Sequence, residues 1–156
     1  GAGEYPIKFI TINPEWKGDW NYETGKSVVV KFEDNKYFVT DESSVVDFTF
    51  QNADVDYSAG SIMTFVQIDN FPFMQPNITI NSISIDGTPL DGYDKAKIIN
   101  SSDGDNYRLE LWNMYGSTSS KGCAFGTATN GVISELGFTS SMAINLTINS
   151  LFSAVK

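Results

Sequence analysis

The chain has 156 residues, 41% hydrophobic and only 19% charged, which suits one domain around one core and leaves a surface made chiefly of Ser, Thr, Asn and Gly. A formal charge of −9 repels phosphate backbones and anionic lipid head groups, so nucleic acid and membrane surfaces are excluded as partners and an acidic polysaccharide is disfavoured. No apolar run reaches the roughly 18 to 20 residues of a membrane span, and one cysteine with no histidine rules out an intrachain disulfide, a thiolate cluster and Cys–His catalysis.

Gly1 to Gly3 read as a cloning remnant, and the absence of a cationic, apolar leader is expected of a mature or trimmed secreted bacterial protein. Ile7 to Ile12 is the first strand candidate. It is followed by the polar, turn-rich Pro14-Glu15-Trp16-Lys17-Gly18-Asp19-Trp20-Asn21-Tyr22, whose Trp16 and Trp20 are placed to wall a cleft or to plug one end of a sandwich. Lys26 to Phe32 and Lys36 to Thr40 come next. Val45 to Gln51 then alternates, burying Val46, Phe48 and Phe50 and turning Asp47, Thr49 and Gln51 outward.

From Ile62 the same period sends Ile62, Val66 and Ile68 inward and Met63, Phe65, Gln67 and Asp69 outward. Phe71, Phe73 and Met74 read as core or hydrophobic lid. Asn77 to Ile85, Lys95 to Ile99, Tyr107 to Trp112 and Ser141 to Asn149 complete nine or ten short strands, punctuated by Asp86-Gly87, Asp91-Gly92, Asp103-Gly104 and Asn130-Gly131 turns. Cys123 reads as a small buried residue. No stretch shows an apolar period of 3.6 at helix length, so residues 1–156 are expected to form one all-β domain, an antiparallel β-sandwich of jelly-roll type.

In the strand from Tyr107, strict alternation puts Tyr107, Leu109 and Leu111 in the core and Arg108, Glu110 and Trp112 on the opposite face. Trp112 and Phe65 outward, beside Glu110, Gln67 and Gln51, describe a surface of flat rings, amides and carboxylates. That chemistry suits a neutral sugar: the ring covers the C–H face of a pyranose and the polar groups bond its hydroxyl rim.

Leu111-Trp112-Asn113-Met114-Tyr115-Gly116-Ser117-Thr118 and the stretch from Leu136 to Ile148 resemble segments of carbohydrate-binding modules on fibre-degrading enzymes of rumen and gut Firmicutes, most of all family 65 and related Ruminococcus modules. The resemblance implies non-catalytic binding of a β-1,4-linked glucan such as cellulose, mixed-linkage glucan or xyloglucan. By it, Trp112 and Gln67 match the ligand-contacting types, Tyr115 flanks them, and the chain is a monomeric module appended to a larger extracellular glycoside hydrolase.

Three other readings fit some of the same residues. A hydrolase needs two carboxyl groups about 5 to 9.5 Å apart, and Glu110, Glu15 and Glu135 are available without a spacing that pairs them. Asp103-Gly104-Asp105-Asn106 and Asp54-Val55-Asp56 alternate carboxylates as calcium loops do, although turn chemistry accounts for both and no cofactor is assigned. A protein-interaction or adhesin module can present the same exposed aromatics.

Overall fold

A computed structural model describes residues 1–18, 23–51, 54–74 and 76–149. Two antiparallel sheets pack face to face. The six-stranded sheet contains β1 (Gly3–Ile12), β2 (Glu23–Glu33), β3 (Lys36–Val39), β5 (Met63–Ile68), β8 (Ile99–Asp103) and β9 (Asn106–Asn113), in the order β3-β2-β1-β5-β9-β8. The four-stranded sheet contains β4 (Val45–Gln51), β6 (Asn77–Ile85), β7 (Thr88–Pro89) and β10 (Ser141–Asn149), in the order β4-β10-β6-β7. With β10 lying between β4 and β6 and β9 between β5 and β8, the chain forms the two-sheet antiparallel β-sandwich that the strand pattern predicts.

The alternation that marks these strands is also what holds them together. In β4, Val46, Phe48 and Phe50 are buried, and in β10 so are Met142, Ile144, Leu146 and Ile148. Across the sandwich they meet Ile7, Phe9, Val66, Ile68, Tyr107 and Leu109. Each such side chain contributes about 1.5 to 3 kcal/mol over an exposed position. Phe71, Phe73 and Cys123 join this core, while Met74 is exposed. Two short helices, α1 (Asp41–Ser44) and α2 (Ser117–Lys121), fill connections.

One strand candidate is corrected. Lys95 to Lys97 form a 3-10 turn, because the Asp94 side chain accepts the Ala96 N–H and caps it. The strand begins at Ile99 instead and runs through Asn100, Ser101 and Ser102, whose polarity hides it from an apolar alternation. Asp103 to Asn106 make the β8–β9 turn, and Asp103 pairs with Arg108 at 3.2 Å. Asp56 caps its own turn by accepting the Ser58 N–H and hydroxyl. Among the described residues no group of three or more Cys, Asp or Glu side chains is arranged to hold a metal ion.

The β6–β7 turn is clasped to the segment entering β10 by one carboxylate. Asp86, at a left-handed φ of 52°, accepts the backbone N–H groups of Thr139, Ser140 and Ser141 and the hydroxyls of Thr139 and Ser140. Those N–H groups, Ser140 first, hold its carboxyl well below the ordinary aspartate value of 3.8. Because the folded value is depressed, the clasp stabilises fully above the unfolded value and is lost as pH falls from there through the folded value. Asp86→Asn keeps a residue that tolerates the left-handed backbone. The variant is expected to melt earlier than the parent at pH 7, with the gap between the two melting curves closing as the pH is taken below about 3.8; a constant gap would remove the carboxylate from this role.

Candidate functional site

Three neighbouring strands have their termini together at one end of the six-stranded sheet. Ile12 of β1 is in register with Met63 of β5, and Met63 with Asn113 of β9. Beyond Ile12 and beyond Asn113 the chain turns in the same way, each time around an asparagine whose side chain bonds its own backbone two residues on.

In the first turn, Asn13 Oδ1 accepts the N–H of Glu15 at 3.0 Å and of Lys17 at 2.8 Å, the Asn13 N–H donates to the Lys17 carbonyl, and the Trp16 N–H donates to the Asn13 carbonyl. Asn13 Nδ2 then ties the turn to the Asp56 carbonyl at 2.9 Å. This set forces Trp16 to a φ of 61°, a left-handed conformation that a bulky residue adopts at a cost of about 1 to 2 kcal/mol. In the second turn, Asn113 Oδ1 accepts the Tyr115 N–H at 2.9 Å and the Asn113 carbonyl accepts the Gly116 N–H. Gly116 is required by contact: a Cβ there would sit 2.6 Å from Glu110 Oε1.

The outcome is an exposed pair of rings. Trp16, 47% exposed, stacks on Tyr115, 66% exposed, with centroids 5.6 Å apart and planes 23° from parallel. Glu15 and Lys17, paired at 3.4 Å, lie on the same turn as Trp16.

Of the described residues predicted to contact a sugar, Trp16 and Tyr115 form an exposed pair, whereas Trp112, Phe65, Glu110 and Gln67 are buried and Gln51 lies elsewhere. Trp112 is buried, 3% exposed, and faces the main core. The reason is an extra residue in β9: Phe65 is opposite Glu110 but Thr64 is opposite Trp112, so the alternation changes phase at Leu111. Its indole N–H donates to the Gly131 carbonyl at 2.8 Å. Phe65 does lie on the outer face, yet it is fully buried there with Ile10, Ile12 and Ile62 under Met114 and Val132 of the segment that follows β9. Ile62, expected inward, belongs to this second cluster.

Glu110 also lies on the outer face and is 3% exposed. Its Oε1 accepts the Thr118 N–H and hydroxyl at 2.8 and 2.9 Å, and its Oε2 accepts the Ser101 hydroxyl at 3.0 Å. It is an anchor for α2 rather than a ligand contact. Gln67 is 8% exposed and bridges Arg108 Nε, at 2.9 Å, to Asp69, at 2.8 Å. Gln51 is exposed, but on the outer face of the four-stranded sheet, on the opposite side of the sandwich from Gln67. Trp20 lies outside the described residues.

Asn13 and Asn113 were not singled out in the sequence, although an asparagine directly after an apolar strand is a signal for such a turn. No protein-family model, curated protein sequence or solved structure matches the chain.

The two tryptophans therefore separate by experiment. Trp112→Ala empties a buried site and is expected to cost about 3 to 5 kcal/mol, a large fall in melting temperature. Trp16→Gly gives up a stacking contact of about 0.5 to 1.5 kcal/mol and relieves backbone strain of the same order. Its melting temperature is expected to stay close to the parent's; a loss like that of Trp112→Ala would show that Trp16 is a structural ring.

Proposed function

We propose that the chain is a non-catalytic module that binds a neutral polysaccharide through the Trp16–Tyr115 pair. The observation that carries this reading is the strained, solvent-exposed placement of Trp16. Strain at a left-handed position persists where surrounding bonds over-determine it, and it gathers at binding and catalytic sites. Glycine at this position would release it. A large ring held there, stacked on a second exposed ring carried by a separate turn, is accounted for by contact with a ligand.

A pair of offset rings offers the apolar C–H face of a pyranose a flat partner, and the phenol of Tyr115 and the side chains of Glu15 and Lys17 offer hydrogen bonds to its hydroxyls. A β-1,4-linked glucan, whether cellulose, mixed-linkage glucan or xyloglucan, exposes that face on successive residues, and it carries no charge to be repelled by the −9 chain. So small a contact supports modest affinity, about mM to µM, or roughly −4 to −8 kcal/mol. Binding without cleavage is favoured because Glu110 has both carboxylate oxygens engaged inside the fold and Glu15 is paired with Lys17. The same reading makes the module a secreted bacterial one that targets an appended glycoside hydrolase to plant cell wall.

In native gels cast with soluble β-glucan, xyloglucan or glucomannan, the parent is expected to be retarded by at least one polymer, with Tyr115→Ala and Trp16→Gly running freely and with no reducing sugar released. Equal migration with and without every polymer would sink the proposal, as would retardation that both variants retain.

A further inference from the structure

Trp16 and Tyr115 are stacked on each other, and that decides how much of a polysaccharide they can touch. With centroids 5.6 Å apart and planes 23° from parallel, each ring turns one face toward the other. The two faces left to solvent point in opposite directions. A run of successive sugar units is held differently, by rings that lie side by side with their free faces turned the same way, because a β-1,4-linked chain is extended and does not fold around a stack.

The turns keep the pair from opening into such a strip. Asn13 Oδ1 holds the N–H groups of Glu15 and Lys17, one on either side of Trp16, and Asn113 Oδ1 holds the N–H of Tyr115. The backbone under each ring is therefore fixed before a ligand arrives.

Among the described residues the one other exposed aromatic is Phe32, at 49%. It lies two residues past Val30, which is in register with Gly3 at the start of β1, whereas Trp16 follows the end of β1 at Ile12. The length of β1, about 30 Å, separates the two. Glu15 and Lys17 beside Trp16 offer hydrogen bonds but no ring face. A cleft of about 450 Å³ is present elsewhere, lined by Ile78, Ile80, Ile98 and Leu109 among others, and it includes neither ring of the stack.

We propose that the site takes a single pyranose unit on one free face of the stack, so that affinity is set by that unit and not by the length of the chain it belongs to. The inference rests on the reading of the pair as a sugar site and narrows it. The ligand is an uncharged β-linked pyranose whose C–H face is clear, whether in a short oligosaccharide or along a soluble polymer. A soluble polymer is bound because it presents many such units. Crystalline cellulose, which is gripped by several coplanar rings at once, is not retained.

The test is a titration of the isotope-labelled chain with methyl β-glucoside, cellobiose, cellotetraose and cellohexaose, followed through its amide NMR shifts, with a pull-down on microcrystalline cellulose beside it. If successive rings were engaged, each would tighten binding by up to about tenfold. Instead, Kd per sugar unit is expected to stay within about twofold from cellobiose to cellohexaose. The same amides, those of Glu15, Lys17, Tyr115 and Gly116, are expected to shift with every ligand, Trp16→Gly to abolish the shifts, and the cellulose pellet to hold none of the protein. The inference alone is overturned, with the sugar site left standing, if cellohexaose binds about tenfold or more tightly than cellobiose, if the set of shifted amides grows with chain length, or if crystalline cellulose removes the protein from solution. No shift with any ligand, or shifts that Trp16→Gly and Tyr115→Ala both retain, overturns the inference and the sugar reading together.

Discussion

A single extra residue in β9 sets the arrangement of the exposed end of this sandwich. Opposite β5 the strand holds one residue too many between Glu110 and Trp112, so two side chains that simple alternation would put on one face are sent to opposite faces. Glu110 goes out and takes hold of Thr118 and Ser101. Trp112 goes in and takes hold of Gly131. Both bonds fix the segment that carries Tyr115, one through α2 and the other through the Asn130–Gly131 turn, where a Cβ on Gly131 would strike Met114. Had the strand run without its bulge, Glu110 would still face outward, but Trp112 would face outward with it and its bond to Gly131 would no longer support the segment that carries Tyr115.

The same segment covers an apolar part of the outer face of the six-stranded sheet. Phe65, Ile10 and Ile12 form an apolar patch there that water would surround, and Met114 and Val132 cover it. Beside that patch, charged and polar groups pair with one another. Lys8 pairs with Asp69 at 2.5 Å, Asp69 accepts Gln67, Gln67 accepts Arg108, and the Arg108 guanidinium lies 4.1 Å from the centroid of Phe65. These groups satisfy one another, so the amide and the ring that looked available in the sequence are already spent on the fold. The outer face of the four-stranded sheet follows the same logic with mostly neutral groups: Asn81 and Thr79 of β6 bond Asn145, Thr147 and Asn149 of β10, and Asn145 donates to the Asp47 carboxylate of β4.

What the sequence disclosed is what alternation can disclose. β4 was legible residue by residue, and β10 as a span with its bounds, because their period of two is unbroken from end to end. The two-sheet fold followed from those runs and their turns. Alternation fails where a strand gains a residue, and that is where Trp112 was misplaced. It also fails to distinguish an outward residue that meets solvent from one that meets another part of the chain, and Phe65, Gln67 and Glu110 were misread for that reason. β8 was displaced because Asn100, Ser101 and Ser102 give no apolar rhythm. Trp16 could be named as a candidate from its loop and Tyr115 from the resemblance, but the two could not be joined, since 99 positions of sequence separate two turns that only the register of β1, β5 and β9 brings side by side.

The pair that results differs from the aromatic pairs of the core in what its surroundings gain from it. Tyr57 stacks on Phe138 at 4.7 Å and Phe71 meets Phe73 edge to face at 5.0 Å, each deep in the core, where burial alone repays their size. Trp16 is half exposed, holds a left-handed backbone and is fixed by the hydrogen bonds of a neighbouring asparagine rather than by packing. Stability by itself favours glycine or asparagine at such a position. A residue retained against that preference, on a turn rigid enough to aim it, is preorganised: the order that a ligand would otherwise have to impose on the ring is already supplied by folding. On the proposed reading, the turn that carries Trp16 is the part of this fold best suited to recognition, and the strained tryptophan is where the cost of that preorganisation is visible.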